Sequence, residues 1–152
     1  MPHNDISNLQ THLGYWLRLV SNSVSDSFAR QLEQHGVTVS EWVALRLLYD
    51  LPDATHADLT QRMGLTKGAV SKVIARLQEK QLLSRQGDAD DARALRLRLT
   101  AAGEELVPRL AALADANDAQ FFAALSSQQQ DQLRSLLTQL AESRQLQLPP
   151  LA

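Results

Sequence analysis

Within the segment LTKGAVSKVIARLQEK, Thr66, Lys67, Gly68, Ser71 and Lys72 gather short hydroxyls, a glycine and flexible cations around the start of an apolar seam. Further on, GDADDARALRLRLT places Asp88, Asp90 and Asp91 just ahead of Arg93, Arg96 and Arg98. Hydroxyls and ammonium groups in the first turns of a helix suit base edges and phosphates in a DNA major groove, and the helix dipole adds attraction for phosphate at that end. Arginines on an exposed hairpin suit a narrow, electronegative minor groove. Asp91 stands two residues from Arg93, near enough to fix the guanidinium, and a preorganised arginine loses less entropy on binding. Arg76 and Arg85 extend the basic set. Taken singly, the helix reads equally well as a solvated polar face, and the hairpin as a turn with surface ion pairs worth about 0–1 kcal/mol each. Their adjacency in the chain favours DNA.

Such groups need elements to hold them. Leu9, Leu13, Leu17, Val20, Val24, Phe28 and Leu32 recur at helical steps and predict a first helix over about 6–35, stopped by Gly36. Thr38 with Glu41 three residues on forms a capping-box pattern for a second helix ending before Pro52. Thr55 caps a short third helix through Met63, with Asp58 in its first turn, and Gly64 ends it. Thr66 then caps a fourth helix that buries Val70, Val73, Ile74 and Leu77. Two short helices joined by a glycine-containing turn make a helix-turn-helix. Over Leu82 to Leu99 the period becomes two, so that Leu95, Leu97 and Leu99 face inward and Arg96 and Arg98 outward on a hairpin with its tip at Gly87 to Asp91. Helical spacing returns in Leu106, Leu110, Leu113, Asn117, Phe121 and Leu125. It returns again from Ser127, which has Gln130 three residues later, through Leu133, Leu136, Leu137 and Leu140. The fold class is mainly α with a small β-hairpin wing.

Charge follows the same division. Between Arg62 and Arg98 there are nine basic and four acidic residues, whereas the rest of the 152-residue chain has six basic and thirteen acidic, so the overall −2 conceals one electropositive region. Cysteine is absent, which excludes disulfides and thiolate metal sites and points to a reducing cytoplasm. MPHNDISNLQ lacks a signal-peptide pattern, and no apolar run approaches the roughly 18 residues of a membrane span. Asp88, Asp90 and Asp91 are not a calcium loop, because Ala92 takes the fifth position and Leu99 the twelfth, where glutamate is required. His3, His12, His35 and His56 never pair at ligand spacing, and no nucleophile elbow or phosphate-binding glycine loop occurs. No cofactor or metal is expected, and an enzyme is not the reading.

The stretches LGYWLR, MGLTKGAVSKVIARLQEKQLL and DADDARALRLRLTAAG resemble the MarR family (multiple-antibiotic-resistance regulators) of winged helix-turn-helix transcription factors, over nearly the whole chain. The family's wing pattern falls on Asp88, Asp91, Arg93, Leu99, Thr100 and Gly103; this chain has Ala92 where many members carry a second basic residue, Gln81 where they carry Gly, and Gly87 where they carry Pro. The resemblance implies that Arg93 enters the minor groove, that Asp91 orients it, and that Thr66, Lys67, Ser71 and Lys72 lie at the major groove. It also implies a homodimer with interleaved first and last helices, repressing at a palindromic operator in double-stranded DNA. The leucine-striped helices, and Leu146, Leu148 and Leu151 in the tail, independently ask for a partner. Residues 1–36 and 101–152 are read as the helical dimerisation region, and 37–100 as the DNA-binding lobe.

Similar regulators bind small aromatic or phenolic effectors between these parts. His12, Tyr15 and Trp16 on the first helix, with Trp42 and Arg46 on the second, offer an apolar slot with polar points, although a tryptophan on an amphipathic helix is more often core. The rival reading from another class is a winged-helix protein-interaction module whose basic face docks an acidic partner.

Overall fold

The computed structural model describes residues 6–88 and 91–146, with side chains described for all of these except 88 and 91–94. After a 3₁₀ turn at Leu9–Thr11 come α1 (Leu13–Glu33), α2 (Val39–Asp50), β1 (Ala54–Thr55), α3 (His56–Met63), α4 (Lys67–Glu79), β2 (Leu83–Asp88), β3 (Asp91–Leu99), α5 (Ala101–Phe121) and α6 (Ser127–Ser143). The expected order holds, with one addition. β1 pairs antiparallel with β3, Ala54 opposite Leu97 and Thr55 opposite Arg96, so the wing is part of a three-stranded sheet ordered β1-β3-β2. Two residues bounded by Pro52 and a helix cap carry no strand period of their own, which hid β1 from the sequence.

Local chemistry sets most of the ends. Gly36 and Gly64 take left-handed conformations, φ +73° and +66°, at the ends of α1 and α3. Thr55 and Asp58 form a complete capping box, and Thr66 accepts from the Ala69 N–H at 3.1 Å. Three ends differ from expectation. The first helix begins at Leu13, because the Thr11 N–H and hydroxyl both bond the Asn8 carbonyl in a separate turn; His12 is therefore an extended N-cap residue and not helical. Thr38 caps α2, but Glu41 does not reciprocate: its carboxylate is turned inward, 1% exposed, and accepts from Lys80 Nζ at 2.5 Å. A buried charge gains more from an ammonium than from a weak cap bond. The last helix is capped by Ser126 with Gln129, one residue before the expected pair, while Gln130 donates to the Phe122 and Leu125 carbonyls.

One apolar cluster joins the lobe to the long helices. Leu32 of α1, Leu45 and Leu48 of α2, Leu59 and Met63 of α3, Val70, Ile74 and Leu77 of α4, Leu97 of β3, and Val107 and Leu110 of α5 are all essentially inaccessible. Each such leucine contributes roughly 1.5–3 kcal/mol by leaving water. Asn117, inside the apolar stripe of α5, is buried because it cross-links helices: Oδ1 accepts from Ser27 Oγ (2.7 Å) and Gln31 Nε2 (3.2 Å), and Nδ2 donates to the Val24 carbonyl. α5 also approaches the start of β2 so closely that a Cβ on Gly103 would stand 2.3 Å from the Leu82 carbonyl oxygen, which accounts for glycine there.

The stripes on α1 and α6 remain uncovered in a single chain. Of the α1 stripe only Leu32 is buried; Leu13 is 81% exposed, and Leu17 and Val20 are exposed as well. No residue of α6 is buried, and Leu136, at 60%, Leu137 and Leu140 face outward.

Two stability measurements follow. Lys80→Ala orphans the buried Glu41 carboxylate and is expected to lose about 3 kcal/mol in urea unfolding at fixed protein concentration, whereas Glu41→Gln, which leaves Lys80 free to reach water, loses about 1 kcal/mol. Equal losses would contradict the asymmetry. Gln81 follows α4 at φ +61°, a conformation costing a non-glycine residue about 1–2 kcal/mol, so Gln81→Gly is expected to stabilise by about 0.5–1 kcal/mol in the same assay; a loss of stability would show that the Gln81 side chain matters more than its backbone.

Candidate nucleic-acid interface

The amphipathic register of α4 decides what can be offered outward. With Val70, Val73, Ile74 and Leu77 buried, the exposed positions of the helix and its cap include Thr66, Lys67, Gly68, Ser71, Lys72 and Arg76. All six sequence-predicted residues of this segment therefore share the solvent side. The first backbone bond of the turn, Val70 N–H to the Thr66 carbonyl at 3.0 Å, leaves the Lys67 and Gly68 N–H groups ahead of the ladder, where anions are favoured. Among the described residues nothing comes within 4 Å of a Cβ built on Gly68, so no packing there calls for its lack of a side chain.

α3 supports this end of α4 through a contact that sequence reasoning missed. His56, the first residue of α3, places Nε2 2.9 Å from Ser71 Oγ and Nδ1 3.2 Å from Thr60 Oγ1. Only the Thr60 half has a sequence signal, the i,i+4 spacing; the Ser71 half depends on how the two helices pack. Beside it, the backbone N–H of Thr55 and then its hydroxyl hydrogen-bond Asp58 and hold its carboxyl below the ordinary 3.8.

The wing is pegged to the same lobe. Leu83 pairs with Leu99, Arg85 with Leu97 and Gln86 with Arg96 across β2 and β3, and the register slips between Gly87 and Asp88. Leu97 is buried and Leu99 half-buried as expected, but Leu95, paired with Gly87 further out along the ribbon, is exposed. Arg98 binds the Asp53 carboxylate through Nη2 at 2.6 Å and Nε at 2.8 Å, and Arg96 donates to the Asp53 backbone carbonyl at 3.2 Å. Asp53 thus holds the base of the wing to the turn before α3, a role no local pattern announces. Arg85 is exposed; the side chains of Asp88, Asp91 and Arg93, and all of Asp90, lie outside the described residues.

The four effector candidates are spread over two places. Trp16 is exposed at the start of α1, next to His12, and its Nε1–H donates to the Gln10 carbonyl at 2.8 Å. Trp42 packs edge-on against Phe28, and Arg46 pairs with Asp50 at 2.8 Å while lying over Tyr49. An open cleft between the lobe and α5 is lined by Tyr49, Pro52, Arg98, Leu99 and Glu105 among others, but by none of the four. Among the described residues no cluster of metal-ligating side chains occurs, and no helix is long and apolar enough to cross a membrane.

Comparison with known proteins bears on the same elements. The MarR family model matches residues 35–94, from the end of α1 into the wing. The HTH-type transcriptional repressor Rv2887 of Mycobacterium tuberculosis is 30% identical over 128 residues, covering 84% of this chain and 92% of the relative. A solved complex of that protein with salicylic acid superposes with a TM-score of 0.67 at 29% identity, over 90% of this chain and 98% of the other. The Staphylococcus aureus MepR–DNA complex superposes with a TM-score of 0.75 at 26% identity, over 87% and 98%. Because the likeness takes in the winged lobe together with the long flanking helices, the chain belongs to the MarR family and is a winged helix-turn-helix transcriptional regulator, not an enzyme.

Proposed function

We propose that this regulator is a cytoplasmic homodimeric repressor that reads a palindromic operator and is released by a small aromatic or phenolic ligand. The observation that carries the reading is the outward face of α4. Thr66, Lys67, Gly68, Ser71, Lys72 and Arg76 stand exposed on one helix whose opposite side is fully packed, within the one electropositive part of an otherwise acidic chain. In this reading the N-terminal half of α4 enters the major groove. Arg85, Asp91, Arg93 and Arg96 of the wing serve the adjacent minor groove, with Asp91 orienting Arg93. Arg96 spends one of its five donors on Asp53 and keeps the others for phosphate.

Residues 1–36 and 101–152 are assigned to dimerisation and 37–100 to DNA reading. The uncovered leucines of α1 and α6 support the first assignment, since a contiguous apolar face of this kind is rarely left to water. A two-fold dimer places two copies of α4 one helical turn apart on the duplex. For the effector, His12, Trp16, Trp42 and Arg46 are assigned jointly to a site completed at the dimer, a reading supported by the salicylic acid bound to the related Rv2887.

Light scattering at micromolar concentration is expected to report a dimer; a monomer contradicts the assembly. Selection of genomic fragments by the purified protein is expected to recover a palindrome with half-sites about ten base pairs apart. Only weak, sequence-independent binding would instead favour an acidic protein partner. On the selected duplex, Arg93→Ala should weaken binding at every site and remove any A/T preference beside the half-sites. Ser71→Ala or Lys72→Ala should alter base preference by about 1–3 kcal/mol where a base contact is lost. Equal anisotropy titrations for wild type and Arg93→Ala would remove the wing from the mechanism.

A further inference from the structure

We infer that His56 is a positioning residue that fixes the hydrogen-bond polarity of Ser71, so that this hydroxyl faces the groove as an acceptor and selects a base carrying an amino group. The inference rests on the reading above that α4 faces DNA.

The number of hydrogens available fixes the direction of each bond. The Thr60 hydroxyl has one, and it is donated to the His56 backbone carbonyl at 2.8 Å. Thr60 Oγ1 can therefore only accept from His56 Nδ1, 3.2 Å away, which requires the imidazole proton on Nδ1. A neutral imidazole carries a single N–H, so Nε2 is left as a bare lone pair. Ser71 Oγ lies 2.9 Å from that lone pair and must donate its only hydrogen to it.

An isolated serine hydroxyl rotates and serves donors and acceptors alike, which is why serine reads bases weakly. Ser71 has lost that freedom. With its hydrogen committed to a half-buried ring on the neighbouring helix, it presents only lone pairs outward from the exposed face of α4. In the major groove these match the amino groups of adenine N6 and cytosine N4 and oppose the acceptors of guanine O6 and N7 and thymine O4. Thr60 and His56 thus turn Ser71 from an ambiguous side chain into a directional one without themselves touching DNA.

Two measurements test this. In the free protein, the imidazole ¹⁵N shifts of neutral His56 are expected to show the proton on Nδ1; a proton on Nε2 overturns the inference whatever the DNA does. Selection from a randomised duplex library is then compared for wild type, His56→Phe, Ser71→Ala and the double variant. Wild type should prefer adenine or cytosine at one position per half-site, and His56→Phe should relax that preference about tenfold at that position. Ser71→Ala should erase the preference, with His56→Phe adding nothing in its background. An unchanged preference in His56→Phe, or an equal change without Ser71, overturns the inference while leaving DNA reading intact. Wild type with no preference at any position overturns the DNA-reading proposal and this inference with it.

Discussion

Everything proposed for this protein depends on one constraint: α4 must bury one side completely so that its other side can be held rigidly in solvent. Val70, Val73, Ile74 and Leu77 meet that constraint in the same buried cluster as Leu45, Leu59 and Met63, which places Lys67, Ser71, Lys72 and Arg76 outward without further choice. The C-terminal end is anchored separately, where Lys80 reaches back to the Glu41 carboxylate and the Gly36 carbonyl. At the N-terminal end His56 grips Ser71. A helix fixed along its seam and at both ends can hold side chains at defined groove positions, which a loosely docked helix cannot.

The wing solves the complementary problem. A two-stranded ribbon projecting from a small lobe has little core to hold it, and Leu95 is exposed in consequence. The short β1 gives β3 a second neighbour, and Asp53 ties Arg98 and Arg96 to the turn before α3. Surface ion pairs of this kind contribute little to stability, about 0–1 kcal/mol each. Their value here is geometric, because they set the base of the wing relative to α3 and therefore relative to α4. The acidic flanks leave the basic character concentrated on this lobe.

What was legible in the sequence was local. Thr55, Thr66 and Gly64 announced the helix-turn-helix because caps and left-handed turns act over three or four residues, and the buried stripe of α4 followed from period alone. What was hidden depended on packing or on competition between equally good local choices. Glu41 had a capping role available and took a buried ion pair with a residue far along the chain. Ser126 and Ser127 each had a glutamine three positions on, and only the turn geometry chose between them. His56 has no local pattern linking it to Ser71, a contact that exists only once α3 and α4 pack together. The stripe on α1 is legible as a stripe, but period cannot say whether a face is covered by its own chain or by another. The fold brings the α4 set of DNA-contact residues onto one face, while the effector set stays divided between the start of α1, with His12 as its N-cap, and α2.

The central claim is that α4 and the wing occupy adjacent grooves of one duplex, twice, in a single dimer. Hydroxyl-radical footprinting on a selected operator, with guanine N7 methylation protection on the same fragment, tests it most directly. The account predicts N7 protection in two major-groove patches about one helical turn apart, each flanked outward by a minor-groove window shielded from radicals. Uniform weak protection along the fragment, or major-groove patches without the outer minor-groove windows, would contradict it.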